Sequence, residues 1–162
     1  MRHVKVLLAA VLVFALQTTV ISQLRIYGVV PNLILVTLLL MVLLPRDRSG
    51  IEFALIAGFL QDLFTAKALG TNVFIYVLIV MFFYYFKEMY FGENRISVVA
   101  GVVIATILYH LIFFITVIFL RDQYRSVLTV LGTAGIEAVY NSLLALAVLP
   151  LGRKWFESDF GI

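Results

Sequence analysis

Six long stretches of apolar side chains, almost free of charge, constrain the fold of this chain more than any other feature. A helix needs about 20 apolar residues to cross a bilayer, whereas a barrel strand needs about 9–11 residues of alternating polarity. Because these stretches are continuous, they predict an all-α, polytopic membrane protein with six transmembrane helices. The helices are expected at about residues 4–22, 28–44, 50–64, 72–86, 96–120 and 127–151, in a single integral membrane domain, 1–162.

Composition decides which solvent the chain folds in. Hydrophobic residues make up 64% and charged residues 13% of its 162 residues, whereas soluble domains average about 45–50% and about 25%. Too little polar surface remains to coat a soluble core, which excludes a soluble enzyme domain, a nucleic-acid-binding module and a disordered chain. The length suits one domain. The lack of cysteine excludes disulfides, a thiol nucleophile and a cysteine metal site.

The distribution of Lys and Arg predicts the orientation. With six spans the loops alternate between two sides, and one side collects eight basic residues against four on the other. Cytoplasmic loops carry the excess of basic residues, so both termini are expected in the cytoplasm. The larger group is Arg2, Lys5, Arg46, Arg48, Lys87, Arg95, Arg153 and Lys154, and the smaller is Arg25, Lys67, Arg121 and Arg125.

Small residues recur every four positions along the third predicted helix. Gly50, Ala54 and Gly58 lie on the same helix face as Asp62, because residues four apart lie above one another. Small side chains at this spacing let another helix approach closely. The sequence therefore predicts a packing seam, where a larger residue at Gly58 does more damage than one at Ala57.

The third helix also carries two acidic residues that need partners. Asp62, at the outer end, meets the unfavourable end of the helix dipole, so Lys67 or the amides that open the fourth helix are candidate partners. In the plainest interpretation, Asp62 caps or bridges this turn. Glu52, near the inner end, can pair with Arg48 four residues earlier.

Helices 2 and 3 are short, since the 15 residues of the third span only about 22 Å of a bilayer core about 30 Å thick. Their outer ends are expected below the membrane surface, where polar residues of helices 2, 3 and 4 converge. Irregular backbone at that depth must be covered by protein or face water, so the cluster could line an outward-facing pocket or seat a partner. Its members are Asn32, Gln61, Asp62, Thr71 and Asn72.

A second polar group lies near the middle of the last two helices. His110 faces this depth from helix 5, and Glu137 shares a face of helix 6 with Tyr140 and Asn141. Ionisable groups inside a membrane are costly and often functional. A proton relay is one interpretation, and the alternatives are an interhelical hydrogen bond that fixes packing or a neutral, protonated glutamate.

Catalytic motifs are absent from the sequence. It has one central histidine, no cysteine, no Gly-x-Ser-x-Gly, no His-Glu-x-x-His and no phosphate-binding loop, which leaves nothing to assemble a nucleophile, a zinc site or a nucleotide site. We therefore expect neither an enzyme nor a bound cofactor.

Three short motifs carry a resemblance to a known family. Pro31-Asn32-Leu33, Gly58-Phe59-Leu60-Gln61-Asp62-Leu63-Phe64 and Leu69-Gly70-Thr71-Asn72 resemble the pattern of the rod shape-determining protein MreD family, over nearly the whole chain. Family proteins often carry Pro-Asp-Leu at the first motif, so Asn32 departs from the pattern. The candidate partner or pocket residues are Pro31, Asn32, Gly58, Gln61, Asp62, Gly70, Thr71 and Asn72.

The resemblance implies a non-enzymatic scaffold subunit of the bacterial cell-elongation machinery in the inner membrane. Its implied partner is the single-span protein MreC. Through MreC it would reach the MreB filament, the RodA glycosyltransferase and a class B penicillin-binding transpeptidase of peptidoglycan synthesis. Membrane lipid is an expected neighbour, and nucleic acid is not.

Two other functions stay open. The MreD family is distantly similar to the S components of energy-coupling-factor vitamin transporters, which are six-helix proteins with an outward-facing pocket, so a vitamin-binding S component is the alternative. An S component should present an Ala-x-x-x-Ala-like face, and Ala9, Ala10 and Ala15 have the wrong spacing for it. A channel for ions or lipid-linked precursors has only His110 and Glu137 in its favour.

Overall fold

The structure, a computed structural model, describes residues 2–44, 49–65, 69–90, 94–121 and 126–160, with every side chain except those of 65, 88, 90, 117–121 and 155–160. Across these ranges the chain forms six α-helices, which confirms the all-α prediction. They are α1 (Arg2–Thr19), α2 (Leu33–Leu43), α3 (Ser49–Thr65), α4 (Thr71–Tyr90), α5 (Arg95–Arg121) and α6 (Val127–Phe160).

Three of the described helices are long and apolar enough to cross a membrane. These segments, Arg2–Gln23, Arg95–Thr116 and Val127–Lys154, have mean hydropathies of 2.2, 2.6 and 1.6. The first includes a 3₁₀ turn, Ile21–Gln23, after α1. α2 and the Thr71–Lys87 part of α4 are shorter apolar segments, and α3 has 17 residues. This architecture fits a membrane protein in which the short helices lie among the long ones.

The start of α2 corrects the sequence prediction, which began this helix at residue 28. A tight turn stands there instead: Ile26 and Val29 exchange both backbone hydrogen bonds, at 3.1 and 3.0 Å. The two residues between them, Tyr27 and Gly28, have φ angles of 52° and 80°, as a two-residue type I′ turn requires. The valines that follow continue the apolar run, so hydrophobicity alone could not separate this turn from the helix.

The other helix ends differ from prediction mainly by extension. α4 was expected to end at residue 86 and α6 at 151, yet they run to Tyr90 and Phe160. An apolar run ends where the side chains become polar, whereas the helical hydrogen bonding of the backbone can continue through polar residues. Pro150 lies within α6 without ending it.

α2 is the central helix. Residues 33–44 are all buried except the half-buried Thr37, and α2 packs against the other five described helices. A helix that is apolar on every face belongs in such a position. Lys87 of α4 donates from Nζ to the carbonyl of Val42 at 2.9 Å, which satisfies one of the carbonyls left open at the end of α2.

The predicted seam is the contact of α3 with α4 and α2. A Cβ on Gly58 would lie 2.8 Å from Val73 Cα, and one on Gly50 would lie 2.6 Å from Val42 Cγ2. Ala54 of the seam is fully buried, but so is Ala57. Ala57 therefore is no neutral site for comparison, because the seam is wider than one row of residues.

We expect Gly58→Ala to lower the free energy of unfolding by about 1–3 kcal/mol, because the added methyl meets backbone that cannot rotate away. Gly135→Ala on α6 is the matched control, since a Cβ there meets nothing within 4 Å, and alanine favours a helix. Thermal unfolding in mild detergent compares the two. Equal melting temperatures would show that the α3–α4 approach is not tight.

Glu52 pairs with α1 in the described part of the chain. Its carboxylate lies 3.4 Å from Arg2 Nη2 and 2.9 Å from His3 Nδ1, and this contact ties the start of α1 to the start of α3. The expected partner, Arg48, lies outside the described residues, as do Arg46, Lys67 and Arg125.

Candidate functional site

Asp62 holds the connection between α3 and α4. Its Oδ1 accepts hydrogen bonds from the backbone N and the Nδ2 of Asn72, both at 2.9 Å. Its Oδ2 accepts from the backbone N–H groups of Gly70 and Val73, at 3.0 and 3.2 Å. The side chain is 1% exposed. The carboxylate thus caps the start of α4, where a negative charge is favoured.

Glycine is required at the turn itself. Gly70 has φ +92°, a region that residues with a Cβ rarely adopt, and this conformation aims its N–H at Asp62. Thr71, half-buried, then begins α4. Of the two partners expected for Asp62, the amides that open helix 4 are in contact with it, whereas Lys67 lies outside the described residues.

Gln61 and Asn32 meet at a buried tyrosine. Tyr76 of α4, fully buried, donates from its hydroxyl to Gln61 Oε1 at 2.5 Å. Asn32 Nδ2 approaches the same hydroxyl at 3.5 Å. Asn32 also caps α2, because its Oδ1 accepts from the N–H of Leu35 at 3.0 Å. An uncharged amide therefore fills the capping role at the Pro31-Asn32-Leu33 step.

Asn141 joins Asn32 to residues of α5 and α6. Its Oδ1 accepts from the backbone N–H of Asn32 at 2.7 Å. Its Nδ2 donates to Thr106 Oγ1 at 3.0 Å and, at 3.4 Å, to Glu137 Oε1. Asn141 is fully buried, so α2, α5 and α6 are joined through one amide.

His110 and Glu137 come together across α5 and α6. His110 Nε2 and Glu137 Oε2 lie 2.8 Å apart, within hydrogen-bond distance, and the side chains are 15% and 10% exposed. Tyr140, on the same face in the sequence prediction, is half-buried. Tyr140 makes no hydrogen bond to any described residue, so it stands apart from this pair.

Tyr109 closes the network. Its hydroxyl donates to Asn72 Oδ1 at 2.9 Å, and its ring stacks on Tyr76 with centroids 5.8 Å apart. The polar cluster at the helix ends and the second polar group in the last two helices, which we predicted separately from the sequence, are therefore parts of one buried network. We call it the polar network; its members are Asn32, Gln61, Asp62, Asn72, Tyr76, Thr106, Tyr109, His110, Glu137 and Asn141.

Sequence reasoning missed Gln17, Tyr76, Thr106 and Tyr109. Gln17 of α1 donates to the carbonyl of Pro31 at 3.1 Å and accepts from the N–H of Leu33 at 2.7 Å, so it ties α1 to the start of α2. Helical spacing could have indicated two of the other three residues, Tyr76 and Thr106. Tyr76 lies four residues after Asn72, and Thr106 lies four before His110.

The network is internally satisfied rather than open. Asn32, Asp62, Asn72 and Asn141 are at most 8% exposed, and their side-chain polar atoms bond to other members of the network or to backbone. Among the described residues, no three His, Asp or Glu side chains come together as a metal site. An apolar groove of about 780 Å³ lies elsewhere, between α1, α2 and α6, and none of the network residues lines it.

Comparison with family models gives a match over almost all of the chain. The model of a family described as rod shape-determining protein MreD matches residues 1–158, essentially the whole chain. Neither the curated proteins nor the solved structures give a match. The expected likeness to the S-component fold therefore stays a prediction.

Proposed function

Since the chain belongs to the family of rod shape-determining protein MreD, we propose that it is a non-enzymatic scaffold subunit of the bacterial cell-elongation machinery. In this role it binds an MreC-like single-span protein. Through that partner it helps to organise the MreB filament, the RodA glycosyltransferase and a class B penicillin-binding transpeptidase during peptidoglycan synthesis.

The observation that carries the proposal is the saturation of the polar network. A solute-binding S component needs polar groups directed at its ligand. Here the side chains of Asn32, Asp62, Asn72 and Asn141 bond instead to other members of the polar network and to backbone. Buried polar groups that are fully bonded rigidify a structure. Rigidity at the outer ends of three helices suits a fixed docking surface.

The candidate residues act on the partner indirectly in this proposal. Asp62, Asn72 and Asn32 are buried, so they position the surface rather than form it. Next to them, Phe64 and Leu69 expose 72% and 74% of their area. These apolar side chains at the α3–α4 connection are the part that a partner can reach, and the cap at Asp62 fixes where they stand.

The proposal is tested by co-purifying the tagged protein with an MreC-like protein in mild detergent. A single-span protein of unrelated sequence is the control. Retention of the MreC-like protein alone supports the scaffold function, and equal retention of both proteins contradicts it.

We further propose that all six helices span the bacterial inner membrane, with both termini in the cytoplasm. The eight-to-four distribution of basic residues supports this orientation. Where the non-helical segment joins α2, protein covers the backbone, as membrane depth requires. Pro31 and Asn32 are buried, and Gln17 and Asn141 bond to their backbone.

Cysteines placed at Met89 and Ser126 are expected to react with impermeant reagents from opposite sides of the membrane. The chain has no native cysteine, Met89 is 69% exposed near the end of α4, and Ser126 is exposed before α6. Labelling of Met89→Cys from inside and of Ser126→Cys from outside is the expected result. Reaction of both from one side would rule out the alternating arrangement.

A further inference from the structure

The apolar groove between α1 and α6 is a feature of the described structure that the proposed scaffold function leaves unused. Both helices pack on α2, and the space between them has a volume of about 780 Å³, within the range of about 300–1,000 Å³ usual for ligand sites. Its walls are aliphatic, with Ala9 and Leu12 on one side and Val148 on the other.

The floor of the groove indicates the shape of its occupant. Leu33, Leu40 and Met41 of α2 lie there and are only 6%, 2% and 1% exposed, while Thr37 between them is half-buried. The groove is therefore a slit, narrow where it meets α2. A helix about 10–12 Å in diameter would bridge the walls without reaching this floor, whereas a single hydrocarbon chain can follow the slit.

Among the described lining residues, the charged side chain lies at the end of the groove near the start of α1. Lys5 lines it at the N-terminal end of α1, and Gly152 lines it on α6, directly before Arg153 and Lys154. At the other end Val20 and Ile21 line it, and none of the described lining residues is acidic. Basic pockets between membrane helices on the cytoplasmic side bind anionic lipid headgroups.

We propose that this groove binds one anionic glycerophospholipid from the inner leaflet, with an acyl chain in the slit and its phosphate beside Lys5. The assignment to the inner leaflet rests on the orientation proposed above, which places Lys5 and Lys154 in the cytoplasmic half of the membrane. The site lies apart from the polar network and the partner surface at the α3–α4 connection.

The test uses native mass spectrometry of the purified full-length protein with added phosphatidylglycerol or phosphatidylcholine of identical acyl chains. Tighter binding of phosphatidylglycerol is expected. Lys5→Ala should weaken phosphatidylglycerol binding about fivefold, since one basic residue near an anionic lipid is worth about 1 kcal/mol. Arg95→Ala, an exposed residue at the start of α5 outside the groove, is the matched control and should change nothing.

A second variant tests the slit. Ala9→Phe fills the groove and should abolish retention of both lipids, whereas Val11→Phe, on the same helix but exposed outside the lining, should retain them. Equal affinity for the two lipids, an unchanged affinity in Lys5→Ala, or retention by Ala9→Phe would overturn the proposal. Loss of the MreC-like protein in Ala9→Phe would also overturn it, because a partner helix would then occupy the groove. If the wild-type protein binds the MreC-like protein but not the lipid, the lipid site is refuted and the scaffold function is not.

Discussion

Replacing Asp62 with alanine is expected to lower the free energy of unfolding by about 2–5 kcal/mol, more than any other polar substitution in the described structure. Four hydrogen bonds end on this one carboxylate, and three of them come from the backbone that begins α4. With Asp62 1% exposed, water cannot easily replace the lost acceptor. Thermal unfolding in mild detergent measures the effect.

Asp62→Asn should fall between wild type and Asp62→Ala. One amide oxygen can keep the two bonds on Oδ1, but the amide nitrogen would then face the N–H groups of Gly70 and Val73. The control is Asn94→Ala, which removes an exposed acceptor of the Ser97 N–H and should cost about 1 kcal/mol. If Asp62→Ala is no more harmful than Asn94→Ala, the carboxylate does not hold the turn.

Asn141→Leu carries the second largest expected effect among the polar substitutions. Leucine has a similar size but leaves the buried N–H of Asn32 without its acceptor at 2.7 Å, which costs about 1–3 kcal/mol. Ser142→Ala is the neighbouring control, since among the described residues its hydroxyl bonds to the carbonyl of Ala138 on its own helix and to no other helix. That change should stay within about 0.5 kcal/mol. Equal melting temperatures of the two variants would show that α2 is not anchored through Asn141.

The helices were predictable from sequence because apolar runs of this length have few other structures in a membrane. The start of α2 was not predictable in the same way. Val29 and Val30 extend the apolar run, while the φ angles of Tyr27 and Gly28 and the cap at Asn32 decide where the helix begins. These are local backbone properties, which hydrophobicity does not report.

The candidate site was predictable where polarity stood out against its surroundings. Asp62, Asn72, His110 and Glu137 are conspicuous in apolar helices, and the structure places all of them in the polar network. Tyr76 and Tyr109 were missed because a tyrosine in a hydrophobic run looks like an aromatic core residue. Their hydroxyls become informative only once the packing of α4 against α5 brings the rings together.

The spacing of small residues along α3 could not show how much of the helix surface its neighbouring helices bury. The row Gly50, Ala54 and Gly58 indicated the seam, but Ala57 is equally buried, because the packing of neighbouring helices on α3 decides its burial. Helical periodicity identifies a face, and only the arrangement of neighbouring helices gives its width.

The most direct test of the scaffold function is the amount of MreC-like protein that Asp62→Ala retains during co-purification, at equal amounts of folded protein. The account predicts that retention falls sharply relative to wild type and to Gly135→Ala, that rod-shaped cells carrying the variant become round, and that Asp62→Asn lies between. Full retention of the partner by Asp62→Ala, with micromolar binding of a vitamin to the wild type that the variant loses, would contradict it.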